Sequence, residues 1–268
     1  MRKILRLCKT IVLNTSILLF LNGLLLGLSI YFKLESNYED DLFTNLVEDL
    51  IDTANPSKNL DSFFISSMRL THKLEVNRQN IFRDNKPKGL KVNFFRPAVV
   101  DLMTGDGDCG SYSVVLARLL KSAGYEVRIA QMQVNGVDAV HMVVEAKKIS
   151  GWIVLDPTFN QYFKKPDGNL ASFKDVQQNW DYYKKQTHND YIQSYKYEGV
   201  RYTNWSKIPY LGNRIKSIIK IFIGEEETNE IALRSYLLRK YNFFYLITVT
   251  LYAISCVLLI ISVFRKKS

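Results

Sequence analysis

Histidine, cysteine and proline are scarce in this chain, at 3, 3 and 6 of 268 residues. Three cysteines cannot build a disulfide framework, and no Cys/His run has zinc-finger spacing, which removes the disulfide-stapled and zinc-stapled small folds. No HExxH, P-loop or dinucleotide fingerprint occurs, so no cofactor and no metal is expected. Internal repeats and low-complexity tracts are also missing. Disorder is excluded from the other side, by a hydrophobic content of 47% and an aromatic content of 13%.

Acidic residues are absent from both ends. Residues 1–32 carry Arg2, Lys3, Arg6 and Lys9, and residues 241–268 carry Arg265, Lys266 and Lys267, with no acid in either stretch. The formal charge is +10, but removing these seven from the 36 Lys+Arg leaves 29 bases against 26 acids in residues 33–240. A basic excess beside apolar runs is a membrane pattern, and nucleic acid is not an expected partner. Thr10–Phe32 and Tyr241–Phe264 contain no charge at all. A helix over the first would be about 34 Å long, against a hydrocarbon core of about 30 Å. Its length and the lack of a small-x-small cleavage site favour a retained anchor over a signal peptide.

The expected organisation is therefore a cytoplasmic tail (1–9), a membrane helix (10–32), an extracytoplasmic domain (33–240), a second membrane helix (241–264) and a cytoplasmic tail (265–268). The lipid bilayer, taken as a bacterial inner or cell membrane, is then a partner. Glu35, Glu39, Asp40 and Asp41 after the first span agree with this orientation under the positive-inside rule, whereas Arg234, Arg239 and Lys240 before the second oppose it. Within the middle domain, residues 41–53 have the apolar stripe of an amphipathic helix ended by Asn55-Pro56-Ser57. A second helix is expected over 61–82 and a loop over 84–89.

Gly105-Asp106-Gly107-Asp108-Cys109-Gly110 is turn-rich and leads into a helix over Ser111–Ala123, capped by Gly124. Cys109 is thus expected at a helix N-terminus, where free backbone N–H groups favour a thiolate. Three strand-like runs follow: Tyr125–Val134, Ala139–Lys148 and Gly151–Phe159, the first two joined by the hairpin signal Asn135-Gly136. His141 lies on the second run and Asp156 on the third. If an even number of residues around Ile149-Ser150 forms their turn, opposing positions have an odd index sum and the two side chains share a face; an odd loop would separate them. A cysteine at a helix start, with a His and a carboxylate on adjacent strands, has the parts of a Cys-His-Asp triad. Each residue has a plainer account alone: Cys109 as a small buried hydrophobe, His141 as an ordinary strand residue, Asp156 as a turn residue before Pro157. Their coincidence in one mechanistically sensible order favours the triad. In addition, Cys8 and Cys256 belong to the membrane segments, which makes Cys109 the only thiol of the middle domain.

The run Gly107–Gly110, the helix ending Leu119–Arg128, then His141-Met142-Val143-Val144 and Gly151–Thr158 resemble the transglutaminase-like superfamily over about residues 90–165. The resemblance implies an α+β papain/transglutaminase-like core, a Cys-bearing helix packed on an antiparallel sheet, flanked here by two transmembrane helices. It also implies catalytic residues Cys109, His141 and Asp156. Papain-like cell-wall peptidases share the Cys-then-His order, but Asp-Pro-Thr after the Trp152-bearing strand fits the transglutaminase-like branch better. The implied activity is thiol-dependent acyl transfer on a peptide or protein substrate, as peptidase, amidase or transglutaminase-type enzyme. The alternative is a catalytically inactive binding or scaffold module, since the superfamily has such members. The oligomeric state stays open.

For an oxyanion hole, the Cys109 N–H is the first expected donor, with Gln79, Asn80 or Asn93 as a second. Asp106 and Asp108 read as helix caps, and His72 and His188 as surface residues. Residues 180–202, rich in tyrosine and lysine, could line a substrate groove or lie on anionic headgroups, but read more simply as half-buried strands with a solvated face. Ile215–Gly224 reads as an apolar-basic stretch lying along a membrane surface.

Overall fold

The computed structural model describes residues 14–54, 59–82, 96–208 and 211–267. The 1–9 tail with Cys8, the start of the first expected span, Asn55-Pro56-Ser57, the 84–89 loop and Asn93 lie outside the described residues. The helices are α1 (Thr15–Ala54), α2 (Leu60–Phe82), α3 (Ala98–Thr104), α4 (Asp108–Ser122), α5 (Phe173–Gln178), α6 (Trp180–Tyr183), α7 (Gly212–Ile223), α8 (Glu225–Glu230), α9 (Leu233–Tyr236) and α10 (Lys240–Lys267). The strands are β1 (Val127–Val134), β2 (Val137–Lys148), β3 (Gly151–Asp156), β4 (Gln161–Tyr162) and β5 (Gly199–Arg201). The chain divides into two compact units, residues 1–40 with 239–268, and residues 41–238.

In the first unit, α1 and α10 are long and apolar enough to cross a bilayer. Several of their polar side chains bond within the unit, as an apolar surrounding would demand. Asn14 Oδ1 accepts from the N–H groups of Ser16 and Ile17 at 3.0 and 3.3 Å. The Asn22 amide donates to Leu18 O at 2.8 Å and Ser255 Oγ at 2.9 Å, and accepts from Cys256 Sγ at 2.8 Å. Arg239 pairs with Asp40. The expected separation between the span ending at Phe32 and the helix over 41–53 is absent, because α1 runs unbroken from Thr15 to Ala54. Hydropathy drops at Lys33, but 33–40 contains neither proline nor glycine, so nothing in the backbone ends the helix.

The second unit is a five-stranded antiparallel sheet, order β4-β3-β2-β1-β5, covered on both faces. On one face Val127, Ile129, Val144, Ala146, Ile153 and Leu155 pack against α4, α2 and the end of α1, with Phe43, Phe63, Phe64, Met68, Leu116 and Leu120 in the common core. On the other, Ala130, Met132, Val143 and Val154 meet Phe163, Phe173, Tyr183, Tyr191, Tyr197 and Tyr202. This second layer corrects the reading of 180–202 as strands. Apart from β5 it is α6, a 3₁₀ turn (Lys184–Gln186) and loop, with four of its tyrosines buried. A stretch that mixes Lys, Asn, Asp and Tyr without period-two alternation has no face to offer a sheet.

Asn135 and Gly136 have φ of 50° and 73°, the left-handed pair of a type I′ hairpin, and join Val134 to Val137. The β1–β2 register then shifts between Met132 and Val134, a bulge that includes Ala139 at φ 57°. β2 and β3 turn through Ile149-Ser150, two residues between the paired Lys148 and Gly151.

Phe64→Ala removes a fully buried ring from the helix-side core and is expected to cost about 3–5 kcal/mol, whereas Ile149→Ala at the exposed turn changes stability by less than about 0.5 kcal/mol. Thermal unfolding of the detergent-solubilised proteins measures both.

Candidate functional site

Cys109 is the second residue of α4, part-exposed, with the helix starting at Asp108. The loop before it is held by a buried arginine. Arg96 Nε lies 2.6 Å from Asp101 Oδ1, and its Nη1 donates to Asp106 Oδ2 at 3.2 Å. Gly105, at φ 60°, ends α3 and returns its N–H to Asp101 O at 2.8 Å. A Cβ on Gly107 would stand 2.3 Å from Arg96 Nη2, so any larger residue would displace the guanidinium from its place in the clamp. Asp106 and Asp108 are therefore not the caps expected of them. Gly107 occupies the N-cap without a side-chain bond, and Asp106 instead serves Arg96.

His141 and Asp156 are each 1% exposed. The β2–β3 pairing Val144↔Leu155 has an odd index sum, which puts Asp156 level with Val143 and on the face of His141, one diagonal step away. The even-turn condition set by the sequence is met, and His141 Nε2 lies 2.7 Å from Asp156 Oδ2. The other carboxylate oxygen accepts the N–H groups of Thr158 at 3.0 Å and Phe159 at 3.3 Å. Asp156 is thus both a turn residue and the partner of a histidine. The ring stacks on Tyr195 at 4.9 Å and 17° and meets Phe159 at 5.5 Å. Burial draws His141 down, but the Asp156 carboxylate and then hydrogen bonding and charge interaction with Cys109 outweigh it, raising His141 to about 10. With Nε2 committed to Asp156, Nδ1 is the nitrogen left for the sulfur.

Beneath the first turn of α4 lies Glu75, fully buried on α2, whose Oε2 accepts from Ser111 Oγ at 2.9 Å. Burial pushes Glu75 up to about 8, against the pull of the Ser111 bond. The sequence signal for it was a carboxylate on the stripe Phe64, Met68, Thr71, Glu75, where the other members are apolar or small. The Gln79 amide is engaged on both sides, donating to Gly105 O and accepting from Tyr112 Oη, each at 3.3 Å, so it positions the loop. Asn80 is exposed. His72, expected at the surface, is half-buried and donates from Nδ1 to Pro157 O at 3.0 Å, just beyond Asp156; His188 is exposed. A polar groove lined by Asn59, Arg69, Tyr162 and Lys164 contains none of these side chains. Among the described residues no group of three His, Cys, Asp or Glu side chains could hold a metal ion.

Residues 77–157 match the family model of the transglutaminase-like superfamily. The chain carries a transglutaminase-like domain. The match takes in Cys109, His141 and Asp156 and covers α3, α4 and β1 to β3, the helix-on-antiparallel-sheet part of the α+β fold. No curated protein and no solved structure matches the chain.

The electrostatics of the transglutaminase-like domain give two expectations. The folded value of His141 lies above its ordinary 6.5, so the pair's stabilisation is complete below about pH 6.5 and is lost as pH rises towards 10. Asp156→Asn is expected to bring the midpoint of the His141 ring, followed by NMR, down towards about 6.5; an unchanged midpoint contradicts the pairing. Glu75 likewise titrates above its ordinary 4.5, so its neutral form stabilises the fold below about pH 4.5, and that contribution disappears as pH rises through about 8. Glu75→Gln keeps a neutral group there, and its denaturation midpoint should fall less than the wild type's between pH 6 and 9. Parallel curves would refute the assignment.

Proposed function

We propose that this protein is a membrane-anchored, thiol-dependent acyl-transfer enzyme acting on a peptide-like substrate, with Cys109 as nucleophile, His141 as general acid and base, and Asp156 as the residue that orients His141. The observation that carries this reading is the buried 2.7 Å bond between His141 and Asp156 beside a part-exposed cysteine at a helix start. With His141 cationic near neutrality, the proton shared between the Cys109 sulfur and His141 sits on the ring at Nδ1, and the sulfur attacks the acyl carbon. As the tetrahedral intermediate collapses, the C–N bond breaks and the leaving amine receives the proton from His141, leaving a thioester on Cys109. An acceptor, water or an amine, then gives its proton to His141 and displaces the sulfur, which restores the protonated ring beside the free Cys109 sulfur. The Cys109 N–H, in the first turn of α4 where backbone donors are free of intrahelical partners, serves the oxyanion. Water as acceptor makes the enzyme a peptidase or amidase; an amine makes it a transglutaminase-type acyltransferase.

In this proposal α1 and α10 hold residues 33–240 on the extracytoplasmic face, with both termini in the cytoplasm. Bases that oppose the orientation have structural employment: Arg239 pairs with Asp40, and Arg234 is half-buried against Met142. The amphipathic α7 fits the same setting, with Ile218, Ile221 and Phe222 exposed beside Arg214, Lys216 and Lys220.

The test is the rate at which iodoacetamide modifies Cys109 in the full chain, followed by mass spectrometry of the Cys109 peptide at pH 6. His141→Ala is expected to slow it by about tenfold or more, because the cationic ring that favours negative charge on the sulfur is gone. Equal rates in the two proteins would leave a binding module in place of an enzyme.

A further inference from the structure

Arg234 is a half-buried guanidinium near Cys109 that the acyl-transfer chemistry leaves without a task. Two other arginines withdrawn from water hold carboxylates: Arg96 with Asp101 and Asp106, and Arg128 with Glu145 and Glu230 between the rings of Trp152 and Tyr202. Arg234 differs. Among the described residues no carboxylate lies within ion-pair distance of it, and its Nη1 donates to the thioether of Met142 at 3.0 Å. Met142 is the neighbour of His141 in β2, and its sulfur lies 3.8 Å from where a Cβ on Gly110 would stand, so the guanidinium sits beside the residues that flank both His141 and Cys109. Burial lowers Arg234 from its ordinary value, while Asp101 and Cys109 act on it in the opposite sense as nearby negative groups. Of these, Asp101 is already bound to Arg96 at 2.6 Å.

The segment that carries Arg234 is fixed on two sides. Thr203 Oγ1 donates to Ile231 O at 2.5 Å and accepts from Leu233 N–H at 3.0 Å, and Lys121 Nζ on α4 donates to Ser235 O at 3.2 Å. A guanidinium held out of water against a weak sulfur acceptor costs free energy that an anionic partner would recover, and its planar fork fits a carboxylate. Resting on the acyl-transfer reading of Cys109, we propose that Arg234 is a specificity-determining residue that receives a carboxylate carried by the acyl donor close to the acyl carbon that Cys109 attacks. The substrate class is thus narrowed to acyl donors with a free carboxylate near the scissile bond.

The probe is a pair of reagents that differ only in charge, iodoacetate and iodoacetamide, with modification of Cys109 followed by mass spectrometry in the full chain. Arg234→Gln is expected to slow iodoacetate by about five- to tenfold, roughly one unit charge at short range in a partly screened site, and to change the iodoacetamide rate by less than about twofold. Equal slowing of both reagents would mean that Arg234 acts on the sulfur or on the fold, and an unchanged ratio would mean that it meets no anion; either overturns the proposal. If Arg234→Gln loses its thermal transition, Arg234→Lys carries the test. There the iodoacetate-to-iodoacetamide ratio is expected to fall at least about twofold as the fork is lost, and an unchanged ratio overturns the proposal. Failure of the enzyme reading shows elsewhere, in iodoacetamide rates that are the same in wild type and His141→Ala whatever Arg234 does.

Discussion

Placing an imidazole and a carboxylate together out of water is costly unless every lone pair finds a partner, and this requirement organises the sheet side of the site. One Asp156 oxygen holds His141 and the other takes two backbone N–H groups of the corner that follows, where Pro157 has no N–H of its own to offer. The ring is covered by Tyr195 and Phe159. None of this survives a change of register. A one-residue slip between β2 and β3 would turn Asp156 to the opposite face, so the two-residue turn at Ile149-Ser150 and the apolar alternation of both strands are conditions of the pair. The aromatic layer over Val143 and Val154 is what keeps that face dry.

The helix side is built to fix one sulfur. Gly105 ends α3, Gly107 admits Arg96, Arg96 ties Asp101 to Asp106, and Gln79 on α2 donates to Gly105 O while accepting from Tyr112 on α4. These are polar contacts to the loop itself, so the position of Cys109 depends on the fit of the loop more than on the apolar stripe of α4. That stripe, with Val115, Leu116, Leu119 and Leu120, decides only which face of the helix meets the sheet.

What the sequence could show follows from the range of the interactions involved. The alternation of β1 to β3, the Asn135-Gly136 turn and the apolar face of α4 are local patterns, and local patterns are legible. The shared face of His141 and Asp156 was legible because antiparallel pairing turns a loop length into a parity rule. The unbroken α1 was missed because hydropathy marks a change of surroundings, whereas only backbone chemistry marks the end of a helix. The role of Asp106 was missed because it depends on Arg96, ten positions away, and capping is the cheaper account of an aspartate before a helix. Arg234 stands 125 positions beyond Cys109, and nothing in the sequence around it signals that it lies near the site. The buried layer formed by Tyr183, Tyr191 and Tyr197 was equally hidden, since its residues reach the sheet from a one-turn helix and from loops with no period of their own.

The charges around α4 form a graded set. An ionised carboxylate beneath the first turn of this helix would oppose negative charge on the sulfur and weaken the positive field of the helix start. Burial holds Glu75 up to about 8, so near neutrality it is mostly a neutral hydrogen-bonding partner for Ser111. His141, raised to about 10, stays cationic over the same range because Asp156 is its partner. Two groups that would ordinarily be an anion and a mostly neutral ring are thereby turned into a neutral acid and a cation, and both changes favour negative charge at Cys109. Arg234 is a further positive group close enough to Cys109 to act in the same sense. An environment weighted in this way favours negative charge, the charge that a nucleophilic sulfur and a developing oxyanion would carry in the proposed reaction.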